Sequence, residues 1–292
     1  MRRTDLDFTC RAGAVAFVVN TTADFAVYIF DNMAHKYNLF SFIRGIPFII
    51  IVIISFYMRG DTMSLFAIGD THLSFGTNKP MDVFRGWENY EKRLEKNWNA
   101  VVKSDDIVVI PGDITWGMNL QEALEDFKFI DALPGKKIIL KGNHDYWWST
   151  KKKTDDFFKA SGINNIDVLN NNAYKAGNLA LCGSRGWFFD NTAEQDLKIL
   201  RREAGRLRTS VEEAEKLGGE KIAFLHYPPI AGGRVCEEIC DVLINGGVKR
   251  CYYGHLHGPA LSFAFNGEMF GIEFRLVSGD FLGFCPKLIE KF

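Results

Sequence analysis

Five of the six histidines in this 292-residue chain fall within five short segments, and each segment closes a short apolar run. The segments are Gly69-Asp70-Thr71-His72, Gly112-Asp113, Gly142-Asn143-His144-Asp145, Leu225-His226 and Gly254-His255-Leu256-His257. Only His35 lies elsewhere. The preceding runs are Leu65–Ile68, Ile107–Ile110, Lys137–Leu140, Ile222–Leu225 and Arg250–Tyr253. With Leu179–Cys182 they are short, β-branched or aromatic, and bounded by Gly, Pro or Asp, which is strand patterning. Between them lie helical spacings such as Tyr90, Leu94, Trp98, Val101 and Leu120, Leu124, Phe127, Ile130. A charged stretch from Ala193 to Leu217 reads as a long helix. Strands alternating with helices predict an α/β core with largely parallel strands. Toward the end, Asn266-Gly267 predicts a tight hairpin and Ile272–Val277 a further strand, so an antiparallel section should close the domain.

Composition narrows the partners. A formal net charge of -1, with no Lys/Arg stripe, argues against a nucleic-acid-binding face. The run Lys151-Lys152-Lys153 reads as a solvated helix start. The six cysteines, Cys10, Cys182, Cys236, Cys240, Cys251 and Cys285, form no C-x-x-C pair. Cys236 and Cys240 are one helical turn apart but lack a second pair to complete a zinc site, so buried free thiols in a reducing, cytoplasmic setting are expected.

Residues 1–62 read differently from the rest. Ile46–Met58 is almost wholly apolar, yet falls short of the roughly 20 residues that span a bilayer; lengthening it over residues 39–58 takes in Arg44 and Pro47. Three readings stay open: a weak membrane anchor that would place the protein at the membrane, a packed extra element, or an over-extended reading frame with Met63 as the natural start. Residues 63–292 are then the catalytic domain.

The five segments carry the chemistry. In a parallel α/β sheet the carboxyl ends of the strands face a common crevice, so these residues should converge there. The two-residue spacing of Asp70 and His72, and of His255 and His257, puts both members of each pair on one side of an extended backbone. The glycines at 69, 112, 142 and 254 are expected to supply sharp turns. Imidazole, carboxylate and one amide oxygen, with no thiolate, suit Mn, Fe, Zn or Ni. Two ions about 3.5–4 Å apart need a shared carboxylate and can clamp the oxygens of a phosphoryl transfer; Asp113 is the candidate bridge.

In this order, D-x-H, G-D, G-N-H-D, H and G-H-x-H, the segments resemble the calcineurin-like metallophosphoesterases, over Asp70 to His257. The resemblance implies a four-layer α/β/β/α sandwich with two mixed β-sheets. It implies one metal held by Asp70, His72, Asp113 and His257, and another held by Asp113, Asn143, His226 and His255, with manganese the favoured ion. His144 would face the substrate as the general acid. The Asp-Arg-Gly of the eukaryotic-type protein phosphatases is replaced here by Ile114-Thr115-Trp116-Gly117, which points away from them and toward small bacterial phosphohydrolases.

The expected activity is hydrolysis of a small phosphoester by metal-activated water. A phosphodiesterase or pyrophosphatase acting on nucleotides or nucleotide-linked lipids is the alternative, and a catalytically silent scaffold of the same fold is the alternative outside enzymes. Asp145 either orients His144 or caps the following helix. Arg185, after its own strand, is a candidate phosphate grip, although a surface position is commoner for an arginine. Trp116, Tyr146, Trp147, Trp148, Trp187 and Tyr227 either wall a flat leaving group or pack the core.

Overall fold

The computed structural model describes residues 63–187 and 194–292. The N-terminal extension, with the apolar run at 39–58, His35 and Cys10, lies outside the described residues. Among the described residues no helix is long and apolar enough to cross a membrane.

Among the described residues, thirteen strands build two large sheets and one small hairpin. In the first sheet β1 (Ser64–Ala67), β2 (Ile107–Pro111), β3 (Lys136–Leu140) and β4 (Ile166–Val168) run parallel. In the second, β5 (Tyr174–Ala176) pairs antiparallel with β6 (Leu179–Ser184) at one edge. Next come β7 (Glu220–Leu225), then beyond the small hairpin of β8 (Ile230–Ala231) and β9 (Arg234–Val235), β10 (Arg250–Tyr253). At the other edge β11 (Gly267–Met269) lies antiparallel to β12 (Ile272–Leu276), while β6, β7, β10 and β12 are mutually parallel. The last strand, β13 (Lys287–Lys291), returns to the first sheet and pairs antiparallel with β1.

Strand alternation then fixes the layers. Leu65, Ala67, Val109, Ile138 and Leu140 of the first sheet meet Leu179, Leu181, Ile222, Phe224 and Tyr252 of the second in one buried cluster. The opposite side chains, such as Phe66, Val108, Ile110 and Ile139, pack under α1 (Tyr90–Val101), α2 (Leu124–Ala132) and α3 (Lys151–Ala160). Ala180, Cys182, Ala223, Cys251 and Tyr253 pack under α4 (Glu194–Leu217) and α5 (Glu237–Asn245). Both faces of each central strand are therefore buried, which is why these runs are nearly continuous in apolar residues. The result is a four-layer α/β/β/α sandwich with two mixed sheets.

Two local expectations are corrected. The closing hairpin turns at Phe270-Gly271, both with positive φ (57° and 72°), rather than at Asn266-Gly267. Asn266 is used differently: its side-chain oxygen accepts the Leu276 N–H at 2.8 Å. Leu120 precedes α2 instead of opening it. The lysine run does open α3, whose cap is Thr150, accepting the Lys153 N–H at 3.3 Å. Cys182, Cys236, Cys240 and Cys251 are buried free thiols, and Cys285 is partly buried.

Phe224 fills the space between the sheets with no exposed surface. Phe224→Ala should cost about 3–5 kcal/mol, measured by urea unfolding.

Candidate metal centre

The strand-end segments meet at one edge of the sandwich. His226 Nδ1 lies 3.1 Å from the Pro111 carbonyl, joining the end of β7 to the end of β2 across the sheets. Asp70, His72 and Asp113 each offer a ligand atom within 4.8 Å of the others, and all three are buried. On the other flank, Asn143 Oδ1 sits 2.6 Å from His226 Nε2 and 2.8 Å from His255 Nδ1, with the two ring nitrogens 3.3 Å apart. The His257 ring stands edge-on to His72 at 5.2 Å between centroids. The His144 ring lies 5.7 Å from that of His72. All eight sequence-nominated residues thus come together.

How the backbone brings them there differs from expectation. Asp70, His72, Asp113 and His255 themselves adopt left-handed φ of 54°, 43°, 51° and 72°. Each such non-glycine conformation costs on the order of 1–3 kcal/mol and persists only where the surroundings enforce it. Here the Asp70 N–H is held by the Gly112 carbonyl, the His72 N–H by the Asp113 carbonyl, and the His255 N–H by both oxygens of Asp70 at 3.0 Å. Simple alternation along an extended strand therefore does not describe Asp70-x-His72. Gly142 and Gly254 serve mainly by lacking a side chain. A Cβ at Gly142 would lie 2.1 Å from Asp113 Oδ1, and one at Gly254 would lie 2.6 Å from Asp70 Oδ2.

Asp145 has neither of the roles expected for it. Its buried carboxylate accepts N–H groups from Gly142 (2.7 Å), Asp113 (2.9 Å), Ile114 (2.9 Å) and Thr115 (3.5 Å), and the Trp147 indole N–H at 3.0 Å. It fastens the loop after β3 to the loop after β2. The His144 N–H adds a bond to Asp113 Oδ1 at 2.7 Å, so the two loops are locked face to face. His144 is oriented by other groups: its Nδ1 lies 3.3 Å from the Tyr146 hydroxyl, and its ring packs against Trp116 at 4.5 Å. Sequence reasoning also passed over Asp126. It is buried, accepts the Phe75 N–H at 2.7 Å and the Thr115 hydroxyl, and so braces the loops after β1 and β2.

The aromatic cluster divides. Trp116 and Tyr146 flank His144, whereas Trp187 packs at a tilt against Tyr227, 5.1 Å between centroids, which in turn lies 4.3 Å from the His255 ring. Trp147 is buried in the core, with Trp148 packed against it.

The electrostatics suit a cation. Burial, with smaller contributions from neighbouring histidines, pulls His255 down to about 2; burial likewise pulls His226 down to about 3, so both imidazoles are neutral with lone pairs free to donate. Burial and then the charge of Asp113 push Asp70 well above the usual carboxylate range. Burial raises Asp113 to about 6. Both ring nitrogens of His72 and Asp113 Oδ2 are buried without a hydrogen-bond partner. Such orphans are costly in an apolar interior, and an ion between His72 Nε2 and Asp113 Oδ2, 3.8 Å apart, would satisfy those two.

Comparison with known proteins agrees with this geometry. The sequence pattern of the calcineurin-like phosphoesterases matches residues 63–259. MJ1445, a protein of the archaeon Methanocaldococcus jannaschii, is 34% identical over 86 residues, which is 28% of this chain and 46% of that one. The gene 66 protein of Mycobacterium phage L5 is 38% identical over 58 residues, 20% of this chain and 28% of the phage protein. The alignments thus span less than half of either relative. Among solved structures, phosphopantetheinyl hydrolase of Mycobacterium tuberculosis superposes with a TM-score of 0.50 over 79% of this chain and 96% of that one. At 12% identity the likeness is one of fold.

Two outcomes follow for the bracing carboxylates. Every group facing Asp145 is a donor, so Asp145→Asn sets an amide N–H against backbone N–H. It should lower stability by about 2–3 kcal/mol and metal affinity about 10–100-fold, read by thermal melting and manganese titration. Burial holds Asp126 at about 6, above its ordinary 3.8, so the folded state binds the extra proton. The stability this gives is complete below pH 3.8 and is lost as pH rises through about 6. The stability of Asp126→Asn relative to the parent, from urea unfolding at several pH values, should therefore rise with pH.

Proposed function

The chain belongs to the calcineurin-like phosphoesterase family, and from that premise we propose that it is a dinuclear metal-dependent hydrolase of a small phosphoester, with residues 63–292 as the catalytic unit. One observation carries the dinuclear reading. Asp113 Oδ2, with no hydrogen-bond partner, lies 3.8 Å from His72 Nε2 on one flank and 3.5 Å from His226 Nε2 on the other. A carboxylate oxygen so placed can serve two ions at once. Asp70, His72, Asp113 and His257 would hold the first ion; Asp113, Asn143, His226 and His255 would hold the second. The donor set of neutral imidazoles, carboxylates and one amide oxygen suits manganese, with iron, zinc and nickel as alternatives.

When bound, such a pair supplies an acidified water and neutralises charge on the phosphoryl oxygens. The chain's own residues do the rest. The ligand side chains, of which Asp70, His72, Asp113 and His226 are buried, would hold the ions at the strand ends. His144 stands beside this cluster, half-buried, with Nδ1 turned to Tyr146, which leaves Nε2 for the substrate. That nitrogen is suited to hand a proton to the departing oxygen. Trp116 keeps the ring in place and shields one face from water.

Manganese-loaded protein should hydrolyse p-nitrophenyl phosphate or its bis ester, and chelation should abolish the activity. His144→Ala should lower kcat by about 100- to 10,000-fold while metal content is retained. Asp113→Ala should lose metal and activity together. Full metal loading of the Asp113 variant would refute the bridging role.

A further inference from the structure

A second cluster of charge adjoins the metal loops and is not used by the chemistry above. Arg185 follows β6 directly, and its carbonyl accepts the N–H groups of His226 (3.2 Å) and Tyr227 (2.9 Å), which ties it to a metal-ligand loop. Its guanidinium Nη2 donates to Glu203 Oε1 at 3.1 Å and stacks over Trp187 at 4.9 Å. Glu203, fully buried on α4, also accepts from Arg206 Nη1 at 3.0 Å. Lys141 links β3 to Gly142; it is half-buried and has no hydrogen bond or ion pair among the described residues. Arg185, Glu203 and Arg206 are among the charges that act on it. Two arginines therefore share one buried carboxylate, with Lys141 within electrostatic reach of all three. The other carboxylate acting on Lys141, Asp145, is engaged by five N–H groups of its own loops.

Surplus positive charge held partly out of water is unfavourable unless an anion joins it. The donors are also incompletely used. Arg185 Nε and Trp187 Nε1 are buried without hydrogen-bond partners. An arginine fork beside a lysine is suited to phosphoryl oxygens. The position matters too. β3 and β6 neighbour β2 and β7 in their sheets, so Lys141 and Arg185 emerge next to Asn143 and His226 at the same edge.

We propose that Lys141, Arg185 and Arg206 form an anion subsite that takes a second phosphoryl group of the substrate, so that the natural substrate is a polyanionic phosphoester rather than a simple monoester. This rests on the phosphoesterase reading of the metal centre and narrows it. The subsite needs no change in Glu203, which organises the two arginines from below.

The test titrates methylenediphosphonate and methylphosphonate into the manganese-loaded full chain by calorimetry, so binding is read whether or not turnover occurs. The parent should prefer the diphosphonate by at least about tenfold. Lys141→Gln and Arg206→Gln alter groups that are half-buried or exposed, so the fold should hold. Each should cut that preference at least about fivefold. Equal affinities in the parent, no binding of either ligand, or a preference unmoved in both variants overturns the subsite. Failure of the phosphoesterase reading appears separately, as absence of hydrolysis of any phosphoester by the same preparation.

Discussion

A single buried carboxylate holds the centre of this molecule together. Asp145 gathers N–H groups from Gly142, Asp113, Ile114, Thr115 and Trp147, and in doing so fixes the distance between two loops that are not joined in sequence. Everything at the site depends on that distance. Asp113 lies in one loop and Asn143 in the other, and their side chains must face the same small space from the ends of neighbouring strands in one sheet. A hydroxyl or amide in place of the carboxylate has too few acceptor sites for five donors. Charge-assisted bonds to backbone N–H groups are also the stronger kind, which matters where the held residues are themselves strained.

The strain has a definite location. Four of the eight positive-φ non-glycine residues among the described residues are nominated metal ligands. Their conformations, and the packing of Asp70 beside Asp113, oppose folding locally. The opposing contribution comes from the layers below: the inter-sheet cluster around Leu65, Val109, Phe224 and Tyr252, and the two helical faces outside it. Strands buried on both faces cannot shift register without exposing one whole set of side chains. The core therefore holds the strand ends still, and the strand ends hold the ligands. A cation at the centre would relieve the repulsion between the two carboxylates and engage the orphaned Nε2 of His72, so the same features that burden the fold make the site receptive to metal.

Much of this was legible in the sequence because it is carried by two periodicities and one chemical bias. Apolar runs such as Ile107–Ile110 and Ile222–Leu225 lie in the strands β2 and β7, and the ligand-rich words that follow them lie together at one edge. What escaped was whatever depends on partners far along the chain. Asp145 beside His144 invites a local reading, yet its partners Asp113 and Ile114 are 32 and 31 residues away. Asn266-Gly267 has turn chemistry, but Asn266 is committed to the Leu276 N–H, and the turn moved to Phe270-Gly271. Of the glycines expected to bend the chain, Gly112 does, at φ 89°; elsewhere the ligands bend instead, and Gly142 and Gly254 make room for their oxygens. Steric demand of that kind is set by neighbours in space, which one-dimensional patterning does not contain.

The two flanks of the centre are chemically unlike, and the difference would give a phosphoester substrate a direction. His144, Trp116 and Tyr146 lie toward His72 and His257. Arg185, Trp187 and Tyr227 lie toward His226 and His255. With His144 as the proposed proton donor, a departing oxygen would end near it, so the leaving fragment would lie on the first flank. Negative charge that stays with the phosphorus would find compensation on the second. A phosphoester bound the other way round would set its anionic end against Trp116 and Tyr146 and leave the surplus charge of Lys141 and Arg185 unanswered. On this reading the loop after β3 would serve both tasks, with Lys141 at its start turned to the anion and His144 farther along to the departing oxygen, while Arg185 after β6 completes the anion side.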